Sequence, residues 1–249
     1  MWKQRERLYN FNARTAWDND FFYSLLYPPN LTVDYLDSDT PDSQQYEKDI
    51  KYTFNEYGFR CASFDERSDI NILTCGCSMT VGVGVDQNET WTEQLKVKIA
   101  RHTGKSVTAW NIATSGASPD YVVRSLWKVD HLLKPNMTFV YWPPITRLEL
   151  PNGHNKITQT ALGDPWYPKL LVDEDYLHYS FQKNLIFLEN YYHQRNSIFY
   201  SNPVIETLVQ HQMQDDNPFQ VNTDARDGMH PGPDWHERVA EYYFQKVYK

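Results

Sequence analysis

Apolar and polar positions follow no regular period over residues 1–66, where Pro28-Pro29, Pro41 and many Asp, Asn and Tyr interrupt the chain. This stretch predicts an irregular, aromatic-rich N-terminal extension that wraps a core and closes near 52-YTFNEYGFR-60. From residue 69 the pattern turns regular. The run 70-INILTC-75 is short, apolar and β-branched, as suits a strand buried on both faces. Thr90-Trp91-Thr92-Glu93 has the form of a capping box and predicts a helix to His102. A second strand is expected at 107-VTAWNI-112, and Ser118-Pro119 reads as an N-cap followed by Pro at the first helical position, opening a helix to Leu133. A third strand is expected at 138-TFVYW-142, a long helix over roughly 176–195 and a short strand at 197-SIFY-200. The last helix starts near Pro233 and carries Val239, Tyr242, Tyr243 and Val247 on one face.

Strands and helices alternating at this spacing imply βαβ units, so the fold class is α/β, with a mostly parallel central sheet between two helical layers. The extension of 1–66 and a domain of 67–249 are the two expected units. In such sheets binding sites form at the carboxyl ends of the strands.

Composition narrows the function. Of the 249 residues 41% are hydrophobic, enough for a core, and 15% are aromatic, with 18 Tyr and 8 Trp. A surplus of rings suits a sugar, lipid or protein contact surface, or simply fills loops and helix faces. The net charge is −8 and no basic block exists, so nucleic acid is excluded as an expected partner. The N-terminus lacks the apolar core of a secretory signal, and no run of 18 apolar residues occurs, so neither export nor membrane insertion is expected. Cys61, Cys75 and Cys77 are too few for a disulfide framework, and a lone C-x-C is too little for zinc. Reduced thiols and a cytoplasmic location follow as expectations.

Two short motifs carry chemistry. Ser78 follows the first core strand by three residues, in 73-LTCGCSMTVGVGV-85, where Gly76, Gly82 and Gly84 permit tight turns. Its hydroxyl could act as a nucleophile, or merely cap the next segment. In 227-DGMHPG-232, Asp227 and His230 stand three apart just before the last helix. Histidine is the natural base near neutral pH, and a neighbouring acid orients its ring. Each motif alone is common by chance.

Together they resemble the SGNH (GDSL-type) hydrolase superfamily, including phage-encoded members. The family's first block reads G-D-S-x-T-x-G, and here it is Gly76-Cys77-Ser78-Met79-Thr80-Val81-Gly82, followed by 85-VDQNETWTEQL-95. The resemblance spans about residues 52–249 and is sharp at the two outer blocks. It implies that Ser78 attacks an ester carbonyl, that His230 is general base and then general acid, and that Asp227 orients His230. It also implies an oxyanion hole containing the N–H of Ser78 and that of Gly116, the match to the second block within 111-NIATSGAS-118. The third block, G-x-N-D, is missing: 140-VYWPPITRLEL-150 offers neither its Gly nor its Asn. Trp142, Thr146 and Arg147 are the residues there able to reach substrate or oxyanion, and Arg147 could equally pair with Glu149. Cys77 stands where the family has an acid outside the catalytic trio; a Cys tolerates burial there, and Ser78 is the better match to the nucleophile.

The resulting expectation is a serine esterase acting on an O-acetyl carbohydrate or simple lipid ester, with no cofactor or metal. A non-catalytic structural or binding protein, for example virion-associated and using its extension to hold a protein partner, is the alternative. A metal-dependent hydrolase using scattered His and acids is a third.

Overall fold

Four parallel strands form the centre of the computed structural model, which describes residues 28–36, 49–149, 155–156, 174–202 and 224–249. The elements in chain order are β1 (Thr32–Val33), β2 (Tyr52–Thr53), β3 (Ile70–Cys75), α1 (Ser78–Val81), α2 (Trp91–Thr103), β4 (Val107–Asn111), α3 (Pro119–Leu133), β5 (Met137–Val140), β6 (Leu148–Glu149), β7 (Asn155–Lys156), α4 (Glu174–Gln194), β8 (Ile198–Ser201) and α5 (Pro233–Tyr248). The central sheet runs β4-β3-β5-β8, with Leu73 opposite both Trp110 and Thr138. β1 and β2 form a separate antiparallel pair, as do β6 and β7.

The strand order explains the layers. The chain leaves β3 for β4 in one direction, then crosses back over β3 to reach β5 and moves on to β8. Right-handed crossovers in opposite directions put their helices on opposite faces of the sheet. Accordingly α2 packs against α5, and α3 against α4. Every residue of β4 and β5 is buried, as is all of β3 except Asn71, which is why these strands read as continuous apolar runs. Among the described residues no helix is long and apolar enough to cross a membrane.

Two boundaries differ from expectation for physical reasons. The third core strand ends at Val140, two residues early. Tyr141 N still donates to Cys75 O at 3.0 Å, but Trp142 N turns away to the Asn202 side chain at 2.6 Å. Pro143 and Pro144 lack the N–H a ladder needs and restrict the residue before them, so the strand cannot continue. The capping box at Thr90 is half formed. Thr90 Oγ1 accepts from Glu93 N at 3.4 Å, while the Glu93 carboxylate pairs with Lys96 at 2.9 Å. Ser118 caps α3 as expected, accepting from Tyr121 N at 3.2 Å.

The described part of the extension packs in two places. Leu36, Ile50, Tyr52 and Phe54 form a second apolar cluster with Val81 and Val83, which follow Ser78, and Ala113, which follows β4. Phe59, Cys61 and Phe64 join the main core, where Ser63 O accepts from Trp110 Nε1 of β4 at 3.1 Å. Residues 1–27 and 37–48 of the extension lie outside the described residues.

α2 and α5 are tied by a buried histidine. His236, fully buried, accepts a hydrogen bond at Nδ1 from Trp91 N at 3.1 Å, so α5 caps the first amide of α2. Burial, with the positive charges of Arg60 and His230, pushes its pKa down from 6.5 to about 3. The unfolded chain protonates His236 below about 6.5 and the folded chain does not, so its contribution is complete above that pH and is lost as pH falls toward 3. Urea unfolding at pH 6.5 and 5 should show the wild type losing about 1–2 kcal/mol more than His236→Gln over that interval, the limit being about 1.4 kcal/mol per pH unit for one proton. Parallel losses in the two proteins would contradict this account.

Candidate active site

Ser78 opens α1, a single turn at the carboxyl end of β3. Cys77, extended at φ −104° and ψ −158°, is the residue before that turn, so Ser78 is its first helical residue rather than its cap. Cys77 joins the main apolar core, and Ser78 is itself buried, at 9% exposure. Gly76 is required by close packing, because a Cβ there would lie 2.6 Å from Tyr141 O and against the Thr80 hydroxyl. The turn closes on itself: Gly82 N and Val83 N both donate to Ser78 O, at 3.0 and 3.2 Å. Gly82 and Gly84 take left-handed φ values of 78° and 83°, which glycine adopts without strain.

Asp227 and His230 are held by their own loop. His230 Nδ1 lies 2.5 Å from Asp227 Oδ2, and Asp227 Oδ1 accepts from the amides of Met229 and His230 at 3.0 and 2.9 Å. The Asp227 side chain is fully buried and that of His230 is 16% exposed. Burial alone would raise the Asp227 pKa, but the His230 ring and these amides together hold it below the usual carboxylate value. An ionised carboxylate only accepts, so Nδ1 carries a proton toward Asp227 and Nε2 is the ring nitrogen left to exchange one. Such a ring can take a proton from a hydroxyl and give it back.

The two loops touch at Gly84. Arg226 N donates to Gly84 O at 2.9 Å, and a Cβ on Gly84 would lie 2.6 Å from that of Ala225 and 3.4 Å from Asp227 Oδ1. The segment after Ser78 and the Asp–His loop therefore meet with no side chain between them at this point. The loop after β4 is attached to the same turn: Thr114 N donates to Gly76 O at 3.3 Å, and Asn111 Nδ2 to Thr80 O at 2.6 Å. Gly116, at φ 74°, lies in that loop. Arg147, 6% exposed, reaches it from the far side of β3, with Nη1 donating to Ala117 O at 3.4 Å. Of its two neighbours in the third loop, Thr146 is half-buried, and Trp142 is fully buried with its ring edge-on to Phe181 at 5.1 Å between centroids.

Sequence reasoning passed over five residues that fix these loops. Asn111 closes β4, Asn202 follows β8, and each bonds a neighbouring loop. Tyr52 accepts from Gly84 N at 2.8 Å, Arg60 donates to three carbonyls after Ser78, and Arg226 Nη2 donates to Asp34 O at 2.6 Å. The asparagines carried a faint signal, a polar amide closing an apolar strand; Tyr52, Arg60 and Arg226 carried none.

No family model matches the chain, and no curated protein matches it. Solved structures similar to it include the lipase Lip_vut3 from a goat rumen metagenome, at 15% identity, covering 72% of this chain and 96% of that one, with a TM-score of 0.47. Others are the acetylxylan esterase Axe2 of Geobacillus stearothermophilus in a catalytic-mutant form, at 11% identity, 74% and 96% coverage and a TM-score of 0.41. A lipolytic protein of the G-D-S-L family from Veillonella parvula has 15% identity, 72% and 98% coverage and a TM-score of 0.38.

The contact at Gly84 is open to direct test. Gly84→Ala combines an unfavourable positive φ with overlap against Ala225, and should destabilise the protein by about 2–4 kcal/mol in urea unfolding. A loss below about 1 kcal/mol would mean that the two loops are not held this closely.

Proposed function

We propose that the chain is an SGNH-type serine esterase in which Ser78 is the nucleophile, His230 the general base and Asp227 its orienting acid. The observation that carries this reading is the buried, ionised Asp227 bonded to His230 in a loop locked against the Ser78 turn at Gly84. Its location adds support. In a sheet ordered β4-β3-β5-β8, the crevice lies where the crossovers diverge, at the carboxyl ends of β3 and β5, and Ser78 follows β3 directly.

The steps follow from the roles. Ser78 Oγ attacks the ester carbonyl carbon while His230 Nε2 takes the hydroxyl proton. The tetrahedral oxyanion collapses, and the alcohol leaves with the proton that His230 returns. Water then attacks the acyl-enzyme as His230 takes one of its protons; the acid departs and Ser78 Oγ regains a proton. Asp227 stays ionised throughout and stabilises the imidazolium.

The oxyanion would be held by the N–H groups of Ser78 and Gly116, with Arg147 in place of the missing third-block Asn. Arg147 suits that role because its Nε is buried without a hydrogen-bond partner among the described residues, and its one side-chain bond to them ties it to the residue after Gly116. Trp142, sealed in the core, supports the loop rather than meeting substrate. The substrate is an O-acetyl carbohydrate or a simple lipid ester, and the reaction needs no cofactor.

A fluorophosphonate probe should label the wild type and leave Ser78→Ala unlabelled. Hydrolysis of p-nitrophenyl acetate should vanish in His230→Ala. A folded wild type that is silent in both assays would favour the non-catalytic binding protein. Arg147→Met should lower kcat by roughly 10²–10³, the usual effect of losing one oxyanion donor. A variant within about threefold of wild type would remove Arg147 from the oxyanion hole.

A further inference from the structure

We infer, building on the esterase reading, that the N-terminal segment is a clasp setting the nucleophile turn against the Asp–His loop, with Arg60 and Tyr52 as positioning residues. Three contacts on the nucleophile side come from one guanidinium. Arg60, 3% exposed, donates from Nη1 to Val81 O at 3.2 Å and Gly82 O at 2.6 Å, and from Nη2 to Val85 O at 2.9 Å. Within the segment Gly82 O accepts only a long bond from Val85 N, at 3.4 Å. Arg60 adds a closer donor to that carbonyl, bonds Val81 O and Val85 O as well, and so fixes how 81–85 leaves the turn. The guanidinium itself stacks over the Tyr52 ring at 4.4 Å.

Tyr52 extends the grip to the junction. Its hydroxyl accepts from Gly84 N, whose own carbonyl accepts from Arg226 N of the Asp–His loop. The clasp also holds the far partner directly: Arg226 Nη2 donates to Asp34 O, and its guanidinium lies over the Tyr35 ring at 4.6 Å. Asp34 and Tyr35 follow β1, and Tyr52 lies in β2, which pairs with it. One small hairpin therefore touches both loops, and the separation of Ser78 from His230 is referenced to it. None of these groups reaches the reacting atoms; each acts through the backbone that carries them.

Positioning of this kind should appear in turnover rather than in binding, since a displacement of about 1 Å can lower a rate by about 10²-fold. With full-length protein and p-nitrophenyl acetate, well below the melting temperature, Tyr52→Phe and Arg60→Lys should lower kcat by roughly ten- to a hundredfold with KM changed by less than about twofold. Fluorophosphonate labelling of Ser78 should slow in parallel. Arg60→Met should be worse than Arg60→Lys, because an ammonium keeps donors on a single nitrogen but cannot span Gly82 and Val85 as the two guanidinium nitrogens do. Should Arg60→Met fail to fold, Tyr52→Phe, which deletes a single hydroxyl, carries the test. Variants that melt earlier yet keep wild-type kcat would overturn the clasp while leaving the esterase intact. A wild type that neither labels nor hydrolyses would sink the esterase reading first and this one with it.

Discussion

The Gly84 peptide is the point on which the geometry of the candidate site depends. Its N–H is taken by Tyr52, its C=O by Arg226, and its missing side chain lets Ala225 approach. Three segments far apart in sequence meet on one residue, and each contact is made to main chain. Main-chain contacts fix distance more strictly than contacts between long side chains, which can repack. The residues on either side are stiff as well, because the turn carrying Ser78 bonds to itself and the loop carrying Asp227 is closed by Ala225 N on His230 O and Gly228 N on Ala225 O. Two rigid loops joined at one tight crossing leave little freedom for the side chains they carry.

The sheet supplies the other half of the constraint. Because the chain reverses direction at β3, the loops after β4 and β5 both open at its carboxyl end. Buried amides bind those loops to the strands. Asn111 donates to Thr80 O and accepts from Ala113 N, and Asn202 accepts from Trp142 N. A buried peptide group left without a partner costs about 1–3 kcal/mol, so each asparagine stabilises a single loop path over its alternatives. Polar residues at the ends of apolar strands are in this sense structural parts of the site.

Most of the central sheet and its helices could be read from the sequence, because strand and helix periods are local and the caps at Thr90 and Ser118 mark their starts. The errors were local competitions too. Tyr141 and Trp142 have strand character, but the prolines after them end the ladder. The Asp227–His230 pair was legible because its partners stand three residues apart, and the tight turn at Ser78 because glycines cluster around it. Tyr52, Arg60 and Arg226 were not. Their partners lie 21 to 192 residues away, and no period or spacing encodes a guanidinium that caps distant carbonyls. The described part of the extension looked irregular because its order comes from packing on distant strands and loops, not from a repeat of its own.

The replacement of an amide by a guanidinium in the third loop has an energetic consequence on the proposed mechanism. A neutral amide costs little to bury and gives a modest bond to an oxyanion. A guanidinium buried beside Ala117 O, with a nitrogen unsatisfied among the described residues, carries a desolvation penalty in the resting protein. In the proposed mechanism that penalty would be relieved when negative charge develops in the tetrahedral species and not in the bound ester. The charge would then favour the transition state over the ground state, the condition for raising kcat rather than tightening substrate binding. Its benefit depends on Arg147 being held still, since a long side chain free to swing would dissipate the gain. The bond to Ala117 O and the close burial of Arg147 provide that restraint, and they place the cation on the same loop as Gly116.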